Sequence, residues 1–429
     1  MAKRIFADTR PLQNIYFRRL WTANIITVIG AQLTVVAVPA QLYAITGSSA
    51  YVGLAGIFGL VPLVVFGLWG GALADTYDRR RILIVTTIGL IVTSAAFWAQ
   101  AAADLNNVWL LLMIFAVQQG FFAVNQPTRT AVLPRIISME QLPAANSLNM
   151  TVMQAGAIAG PLVGGALIPF IGFSMLYAAD AVFLFATLWA VVTLPPLPPE
   201  HTPGMDKPTA GFKSVIDGLV YLKGHKVLLM SFVVDLIAMI FGMPRALFPQ
   251  IAHESFGGPT DGGLAFALLF IAIPLGAVVG GVLSGWVSHV RRQGMAVIIC
   301  IIIWGLSIVV AGGVLIFAHG TMLPILPIVI VALMIGGAAD MASAAFRQTM
   351  LQSAANDDVR GRLQGVFIVV VAGGPRIADV THGASAAMVG TAVTFAGGGI
   401  LVVVLTVVAA FAVPVFWRYR TSLKETDAT

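Results

Sequence analysis

The chain has 429 residues, of which 59% are hydrophobic and 10% are charged, and its mean hydropathy is +0.93. A soluble domain carries roughly 25% charged residues, so this composition excludes an ordinary soluble protein. The formal net charge of +6 does not indicate a nucleic-acid partner, because the basic residues lie in short clusters between apolar runs. The single cysteine, Cys300, excludes an intrachain disulfide and a metal–thiolate site.

Twelve apolar stretches follow one another, each near the roughly 20 residues that one membrane span needs. They are Leu20–Ala44, Ala50–Ala74, Ile82–Ala103, Val108–Val124, Ala144–Pro169, Phe173–Leu194, Val227–Gln250, Gly263–Val287, Met295–Ala318, Met322–Phe346, Leu363–Met388 and Thr391–Trp417. The first is long enough to span and remain in the membrane, so we expect no cleavable signal peptide. We therefore predict an all-α membrane protein with twelve transmembrane helices.

Basic residues predict the orientation of these spans. With the N-terminus inside, 22 of the 24 Lys and Arg residues fall on the inner side, and the outer loops contain none. The other two, Arg245 and Arg376, lie within spans. Because basic residues are retained on the cytoplasmic side, we predict a multi-pass membrane protein with both termini cytoplasmic.

A polar interruption divides the spans into six and six. Residues 195–208 are proline-rich and predicted to be extended, whereas residues 212–223 have apolar side chains at the spacing of an amphipathic surface helix. We predict an N-terminal six-helix bundle at 1–194, a cytoplasmic linker with an amphipathic helix at 195–225, and a C-terminal six-helix bundle at 226–429.

The two halves repeat each other at one separation. Gly160 recurs as Gly374, 214 residues later and again before a proline, and Gly71 recurs as Gly285 at the same separation. This agreement indicates an internal duplication. Transporters built from repeats place their substrate near the membrane midplane, between the repeats.

The loop between the second and third spans carries Gly71, Asp75 and the arginines Arg79, Arg80 and Arg81. The glycine allows a neighbouring helix to pack closely, and the acid can face the positive N-terminus of another helix. The arginines fix the loop at the lipid surface. The alternative is an ordinary basic inner loop.

Span five contains Gly156, Gly160, Pro161, Gly164 and Gly165. Glycines four residues apart form a smooth face for close backbone contact, and the proline removes a backbone donor and bends the helix. The pattern fits either a gating helix or ordinary helix packing.

These two patterns resemble motifs of the major facilitator superfamily. The first resembles motif A (G-x-L-A-D-R-x-G-R-R/K), and the second is similar to motif C of its proton-coupled exporters. The phrases IPLGA at 273–277 and QTMLQ at 348–352 resemble the bacterial enterobactin (siderophore) exporter branch. The resemblance implies two pseudo-symmetric six-helix bundles (the major facilitator fold) and export by alternating access. It also implies that Asp75 latches the inner gate against the start of span eleven.

The motifs are not complete in this chain. Thr76 and Asp78 replace the arginine and glycine of motif A, although an acid at position 78 suits the siderophore-exporter branch. Of the family's motif B (L-x-x-x-R-x-x-Q-G), Leu112, Gln119 and Gly120 are present, but Ala116 replaces the arginine. Because that arginine is implicated in proton coupling within the family, its absence argues against the standard coupling route.

Ionisable side chains inside spans are functional candidates, because each costs at least about 2.5–3.5 kcal/mol at a helix centre. Asp340 and Arg245 lie near predicted span ends, and Asp180 lies on span six, which the resemblance implies is peripheral, so we predict structural roles for these three. Asp235 falls near the middle of span seven with no cation one helical turn away. We predict that Asp235 is an unpaired carboxyl that binds and releases the coupling proton.

Span eleven carries Arg376, Asp379 and His382 at three-residue steps, which places a polar stripe along the helix. Arg376 lies within reach of Asp379 and should keep it ionised, so Asp379 is a poorer proton carrier than Asp235. In the alternative, Arg376 reaches across to Asp235 and the pair only stabilises the fold.

Amide side chains on spans one and four are candidates for the substrate cavity. Each can equally well make an interhelical hydrogen bond. They are Gln32, Gln41, Gln118, Gln119 and Asn125.

The leading hypothesis is a secondary active exporter of a small organic molecule, with protons as the coupling ion, acting as a monomer in the lipid bilayer. By resemblance the cargo is a siderophore; multidrug or macrolide efflux and lysolipid transport are the alternatives. No G-x-x-x-x-G-K-[ST] loop is present to bind nucleotide phosphates, which disfavours ATP-driven transport, and the six histidines show no H-E-x-x-H spacing. We expect no cofactor, no metal site, no nucleic-acid partner and no enzymatic activity. A transport-inactive sensor is the remaining alternative.

Overall fold

The computed structural model describes residues 8–198, 220–354 and 357–420. Within these ranges the chain forms long helices that follow the predicted spans. We number them α1 Ile15–Thr46, α2 Ser49–Thr76, α3 Arg79–Ala102, α4 Val108–Ile136, α5 and α6 within Leu142–Val192, α7 Lys226–Gly242, α8 Leu264–Val282, α9 Gln293–Leu315, α10 Ile325–Ala354, α11 Asp357–Val389 and α12 Thr391–Ala412.

Ten helical stretches of the described residues are long and apolar enough to cross a membrane. One of them, Met139–Val192, contains both α5 and α6, and α11 is the helix that is not among the ten. Counting α5 and α6 separately and adding α11 gives twelve membrane helices. The predicted all-α fold and its helix number are therefore confirmed.

Side-chain caps fix where three of the early helices begin. The carboxamide oxygen of Asn14 accepts the backbone N–H of Tyr16 at 2.9 Å at the start of α1. Asp78 accepts the N–H of Arg80 at 2.8 Å at the start of α3, and Asn107 caps α4 in the same way. Because the first N–H groups of a helix have no partner within it, these polar residues determine the ends of otherwise uniformly apolar segments.

α5 and α6 follow each other without a loop. At Gly172 the backbone takes φ 73° and ψ 168°, a conformation open essentially to glycine alone, and this residue separates α5 (142–171) from α6 (173–192). The same conformation recurs between α11 and α12 at Gly390, with φ 84° and ψ 163°. The junction is therefore duplicated along with the helices that it joins.

Two helix ends differ from the predicted spans. α7 ends at Gly242 rather than Gln250, because Pro244 has no backbone donor to continue it, and Arg245 begins a short 3-10 turn instead. α10 continues to Ala354, so Asp340 lies in the middle of its helix. The predicted position of Asp340 near a span end is wrong, because the apolar pattern stops several residues before the helix does.

Over the described residues the chain divides into two compact units. One is Met1–Gly211 with Gly258–Ile271, and the other is Phe212–Gly257 with Ala272–Thr429. The first unit holds α1 to α6, and the second holds α7 and α9 to α12. The boundaries predicted at 194 and 226 stay a prediction, and the predicted amphipathic helix falls largely on residues 199–219, outside the described residues.

Each unit carries the same apolar groove. In the first unit it lies between α2, α3 and α4 with a volume of about 510 Å³, and in the second it lies between α8, α9 and α10 with about 520 Å³. Eight of the twelve positions that line the first groove recur in the second, 214 residues later: 66, 78, 81, 82, 85, 86, 121 and 124. This common lining supports the duplication that the glycine spacing predicts.

Candidate functional site: a row of charges in the second unit

Asp235 and Arg347 form a buried ion pair. Asp235 lies on α7 and Arg347 on α10, and Nη1 of the guanidinium contacts Oδ1 of the carboxylate. The two side chains are only 2% and 7% exposed. The predicted unpaired carboxyl is therefore wrong, because the cation comes from a different helix rather than from a neighbouring turn of α7. It is also not Arg376, the partner that the alternative proposed.

The ion pair continues into a longer set of alternating charges. Nη2 of Arg347 lies 3.9 Å from Oδ1 of Asp340. Asp340 interacts electrostatically with Arg245, Arg245 with Asp379, and Asp379 with Arg376. We call this set the charge row: Asp235, Arg347, Asp340, Arg245, Asp379 and Arg376. Three acids alternate with three arginines, so the formal charge of the row is zero.

The charge row is unevenly accessible. Asp235 is 2% exposed, whereas Asp340 is 32% exposed. Arg245, Arg376 and Asp379 are half-buried. Because an isolated charge at membrane depth is costly, the alternation places each charge near an opposite one. The row thus has a closed end at the ion pair and a more exposed end, which we call the open end.

His382 contacts α7 and α12 rather than the row. Its side chain is 4% exposed, and Nε2 lies 3.1 Å from the carbonyl oxygen of Ile240. Because a carbonyl only accepts, Nε2 carries a proton in this contact. The ring also lies against Gly398, where an added Cβ would come within 2.8 Å of Cε1. His382 therefore joins α11 to α7 and α12.

Three of the predicted cavity amides make hydrogen bonds between helices of the first unit. Gln41 accepts from the hydroxyl of Tyr177 on α6 at 2.9 Å, and Asn125 on α4 donates to Thr86 on α3 at 2.8 Å. Gln118 on α4 donates to a serine of α3 at 3.3 Å. All three amides are buried. These contacts correspond to the second alternative, in which the amides join helices.

The glycines of span five form the face of α5 that packs against α1. Added Cβ atoms at Gly156, Gly160 and Gly164 would each contact side chains of α1. The Cβ at Gly160 would overlap that of Gln32, so this fourth cavity candidate lies at a helix contact. Gln119, the fifth, is half-buried.

Pro161 and Gly165 complete the pattern on α5. Pro161 is buried in the helix interior, and the carbonyl oxygen of Gly165 accepts the backbone N–H of Gly263 at 2.8 Å. An added Cβ at Gly165 would lie 3.1 Å from Ala267. The small residue is therefore needed where the start of α8 approaches.

We expect Gly160→Ala to lower the melting temperature of the purified protein by several degrees, since the new methyl group has no space beside Gln32. The cost of such overpacking is about 1–3 kcal/mol. Thermal unfolding in detergent, followed by tryptophan fluorescence, measures it. The control is Gly67→Ala, where the new Cβ would lie 3.9 Å from Ala123. Equal melting temperatures for the two variants would contradict a close contact at Gly160.

The arginines of the loop between α2 and α3 bond to the ends of other helices. Nη1 of Arg79 donates to the carbonyl oxygen of Ala131 on α4 at 3.2 Å, and Nη2 of Arg80 donates to Val192 at the end of α6 at 2.6 Å. Asp75 lies in the last turn of α2, and its side chain is outside the described residues. Its predicted contact with the start of span eleven stays a prediction.

Asp78, which stands where motif A has glycine, ties the chain after α6 to this loop. Its Oδ1 accepts the N–H of Leu197 at 3.2 Å in addition to the helix cap, and the N–H of Arg79 donates to the carbonyl oxygen of Leu197 at 3.1 Å. The Leu197 side chain is 4% exposed within the apolar core. The acid therefore has a structural function that glycine cannot provide.

Sequence reasoning assigned Arg347 to an inner loop, because the apolar stretch stops at Phe346. One signal was present, since Phe346, Met350 and Leu351 continue the apolar pattern at helical spacing. All three are buried, and the helix that they extend carries Arg347 back towards Asp235.

The comparison with protein families decides the class of the chain. Residues 7–425 match the transmembrane secretion effector family of the major facilitator superfamily. The chain belongs to this family. As a major facilitator protein it is a multi-pass membrane transporter, and its substrate is a small molecule.

Curated relatives in this superfamily match over nearly their whole length. The enterobactin exporters EntS of Shigella boydii serotype 18 and of Escherichia coli O139:H28 are both 26% identical over 420 residues, which cover 96% of this chain and 95% of theirs.

Solved major facilitator structures share the fold. The nucleoside transporter NupG has a TM-score of 0.73 at 12% identity, covering 94% of this chain and 100% of that one. A bacterial homologue of the iron transporter ferroportin, in an inward-facing state, has a TM-score of 0.68 at 13% identity, covering 95% and 99%. At these identities the similarity establishes the fold alone.

Proposed function

We propose that this transporter is a proton-coupled secondary exporter of a siderophore or a similar small organic molecule. The substrate class rests on the curated relatives, which are enterobactin exporters. The proposal includes an inner-membrane monomer with both termini cytoplasmic. It also includes bundles at 1–194 and 226–429 and a linker at 195–225, as the distribution of basic residues and the repeat predict.

The observation that carries the coupling proposal is the buried pair of Asp235 and Arg347. Ala116 occupies the position of the motif B arginine, so coupling must use other charges. The charge row is neutral as it stands, and adding one proton to an acid changes its total charge by one unit. Binding of a proton to one acid can therefore change which acids the arginines contact.

Arg347 is placed to respond to such a proton. In the structure its Nη1 contacts Asp235, while Nη2 lies 3.9 Å from Asp340. When Asp235 is protonated it no longer attracts the guanidinium, and Asp340 becomes the nearer anion. The guanidinium then moves from the buried end of the row towards the accessible end, which links proton binding to a displacement between α7 and α10.

The open end of the row gives Arg376, Asp379 and Arg245 a substrate-facing role. Two arginines flank one aspartate there, and guanidinium groups bind carboxylates and other anionic oxygens in bidentate geometry. An anionic or chelating oxygen group on the cargo can displace Asp379 from its arginines. Substrate and proton then compete for the same set of charges, which is the requirement for exchange.

The test of cargo and direction is the growth medium of a deletion strain. Under iron starvation, mass spectrometry should find a siderophore retained in the cells of the deletion strain and depleted from its medium, relative to the parent. Re-expression of the wild-type chain should restore the amount of siderophore in the medium. Unchanged siderophore in both fractions, together with new sensitivity to macrolides or other drugs, would replace this proposal with the drug-efflux alternative.

A further inference from the structure

Asp180 of the first unit is a buried carboxyl that the charge row does not include. It lies on α6, is 2% exposed, and accepts two hydrogen bonds at one oxygen. The hydroxyls of Thr34 on α1 and Ser94 on α3 both donate to Oδ2, each at 2.8 Å. Gln118 on α4 donates in turn to the Ser94 hydroxyl at 3.3 Å. Side chains of four helices therefore form one hydrogen-bond network around Asp180.

The groups around Asp180 are neutral. α1 contributes Gly30 and Thr34, α3 and α4 contribute a hydroxyl and an amide, and the titratable group described nearby is Tyr177, one turn away on α6. In the second unit, by contrast, each acid of the row interacts with an arginine. A carboxylate at membrane depth with neutral partners has no charge to offset its desolvation, and the neutral acid is the form that avoids this cost.

The second half has no acid at the corresponding place of α12. Gly172 and Gly390 have the same backbone conformation, so positions in α6 and α12 can be compared by counting from them. Asp180 lies eight residues after Gly172, and the residue eight after Gly390 is Gly398. The duplicated helix therefore has a glycine where α6 carries Asp180.

We propose that Asp180 is a second proton-binding site, separate from the charge row, that takes up and releases one proton during the transport cycle. In the protonated form Oδ2 is the carbonyl oxygen that accepts from Thr34 and Ser94, and Oδ1 carries the proton. An added Cβ at Gly30 would lie 2.7 Å from Oδ1, so the glycine leaves room for that O–H group. On release the proton passes to water, and the two hydroxyls stay to stabilise the carboxylate.

This inference deepens the proposed function, and its test does not require the cargo. Infrared difference spectra of the purified wild-type protein between low and high pH should contain the C=O band of a protonated carboxylic acid. Asp180→Asn should remove one component of this band. The matched control, Asp104→Asn, changes an exposed acid of the same unit and should retain it.

Thr34→Val and Ser94→Ala extend the test without removing the acid. Each deletes one hydrogen bond to Oδ2, so the C=O band should persist at a higher wavenumber. These variants also decide the outcome if Asp180→Asn fails to fold. The proposal is overturned if the band is unaffected by all three substitutions. It is equally overturned if the Asp180 carboxyl is ionised, or protonated, at every pH at which the protein stays folded. If the siderophore assay fails but the infrared result is positive, the proposed cargo is rejected and the proposal of a proton-binding site at Asp180 stands.

Discussion

Cells that carry Asp235→Asn are expected to export no more of the retained compound than the deletion strain does, while the variant protein reaches the membrane at normal abundance. Asparagine fills the same space, and Arg347 keeps a counter-ion because its Nη2 lies 3.9 Å from Asp340, so the helix packing around position 235 survives. Asparagine cannot bind a transferable proton, and it removes the anion that contacts Arg347. The comparison is made by mass spectrometry of the medium, with immunoblots of membrane fractions for abundance.

The control for this result is Glu254→Gln, which removes an exposed acid of the same unit and should leave export unchanged. In proteoliposomes, Asp235→Asn should also lose the stimulation that a pH gradient gives to the wild type, while exchange of substrate across the membrane continues. Full gradient-driven export by Asp235→Asn would remove Asp235 from the coupling mechanism.

Arg347→Gln should have the largest effect on stability. The substitution leaves Asp235 2% exposed with the guanidinium removed, and breaking a buried ion pair from one side costs about 3–5 kcal/mol. We expect a several-fold loss of protein in the membrane and a clearly lower melting temperature in detergent. Arg292→Gln removes an exposed arginine of the same unit and should change neither quantity.

The double variant Asp235→Asn with Arg347→Gln separates stability from transport. Because it removes both charges, it should recover most of the melting temperature that Arg347→Gln loses, yet it should still export nothing. The coupling energy of the pair follows from the four melting curves. A double variant that is less stable than Arg347→Gln would show that the two residues contribute independently to the stability of the protein.

The helices themselves were predictable, because each span is an apolar run of the required length and the basic residues mark the turns. Their ends were less so. α10 continues past Phe346 on polar and mixed residues, and packing of Met350 and Leu351 rather than hydropathy decides where it stops. α5 and α6 were predicted as two spans. The single glycine that joins them was not predicted, because its backbone conformation cannot be read from composition.

The candidate site was predicted only in part, because the sequence does not show which side chains of different helices contact each other. The stripe of Arg376 and Asp379 repeats along one helix, so its spacing is visible in the sequence. The contact of Asp235 with Arg347 joins residues 112 positions apart, and nothing in either segment specifies the other. The amides were visible as polar residues, but which of them join helices depends on partners such as Tyr177 and Thr86, which only the fold brings near.

The duplicated helices differ in what they carry, and this difference has consequences for synthesis. In the first half, Leu133 and Leu162 stand where Arg347 and Arg376 stand in the second, 214 residues later. A charged residue adds about 2.5–3.5 kcal/mol to the insertion of an isolated helix at its centre. The early spans other than α6, which carries Asp180, can therefore enter the bilayer one at a time as the ribosome delivers them. The later spans carry charges and should insert only together with the spans that carry the opposite charges. We therefore expect insertion of the second half to depend on chaperones and on the order in which its spans are synthesised.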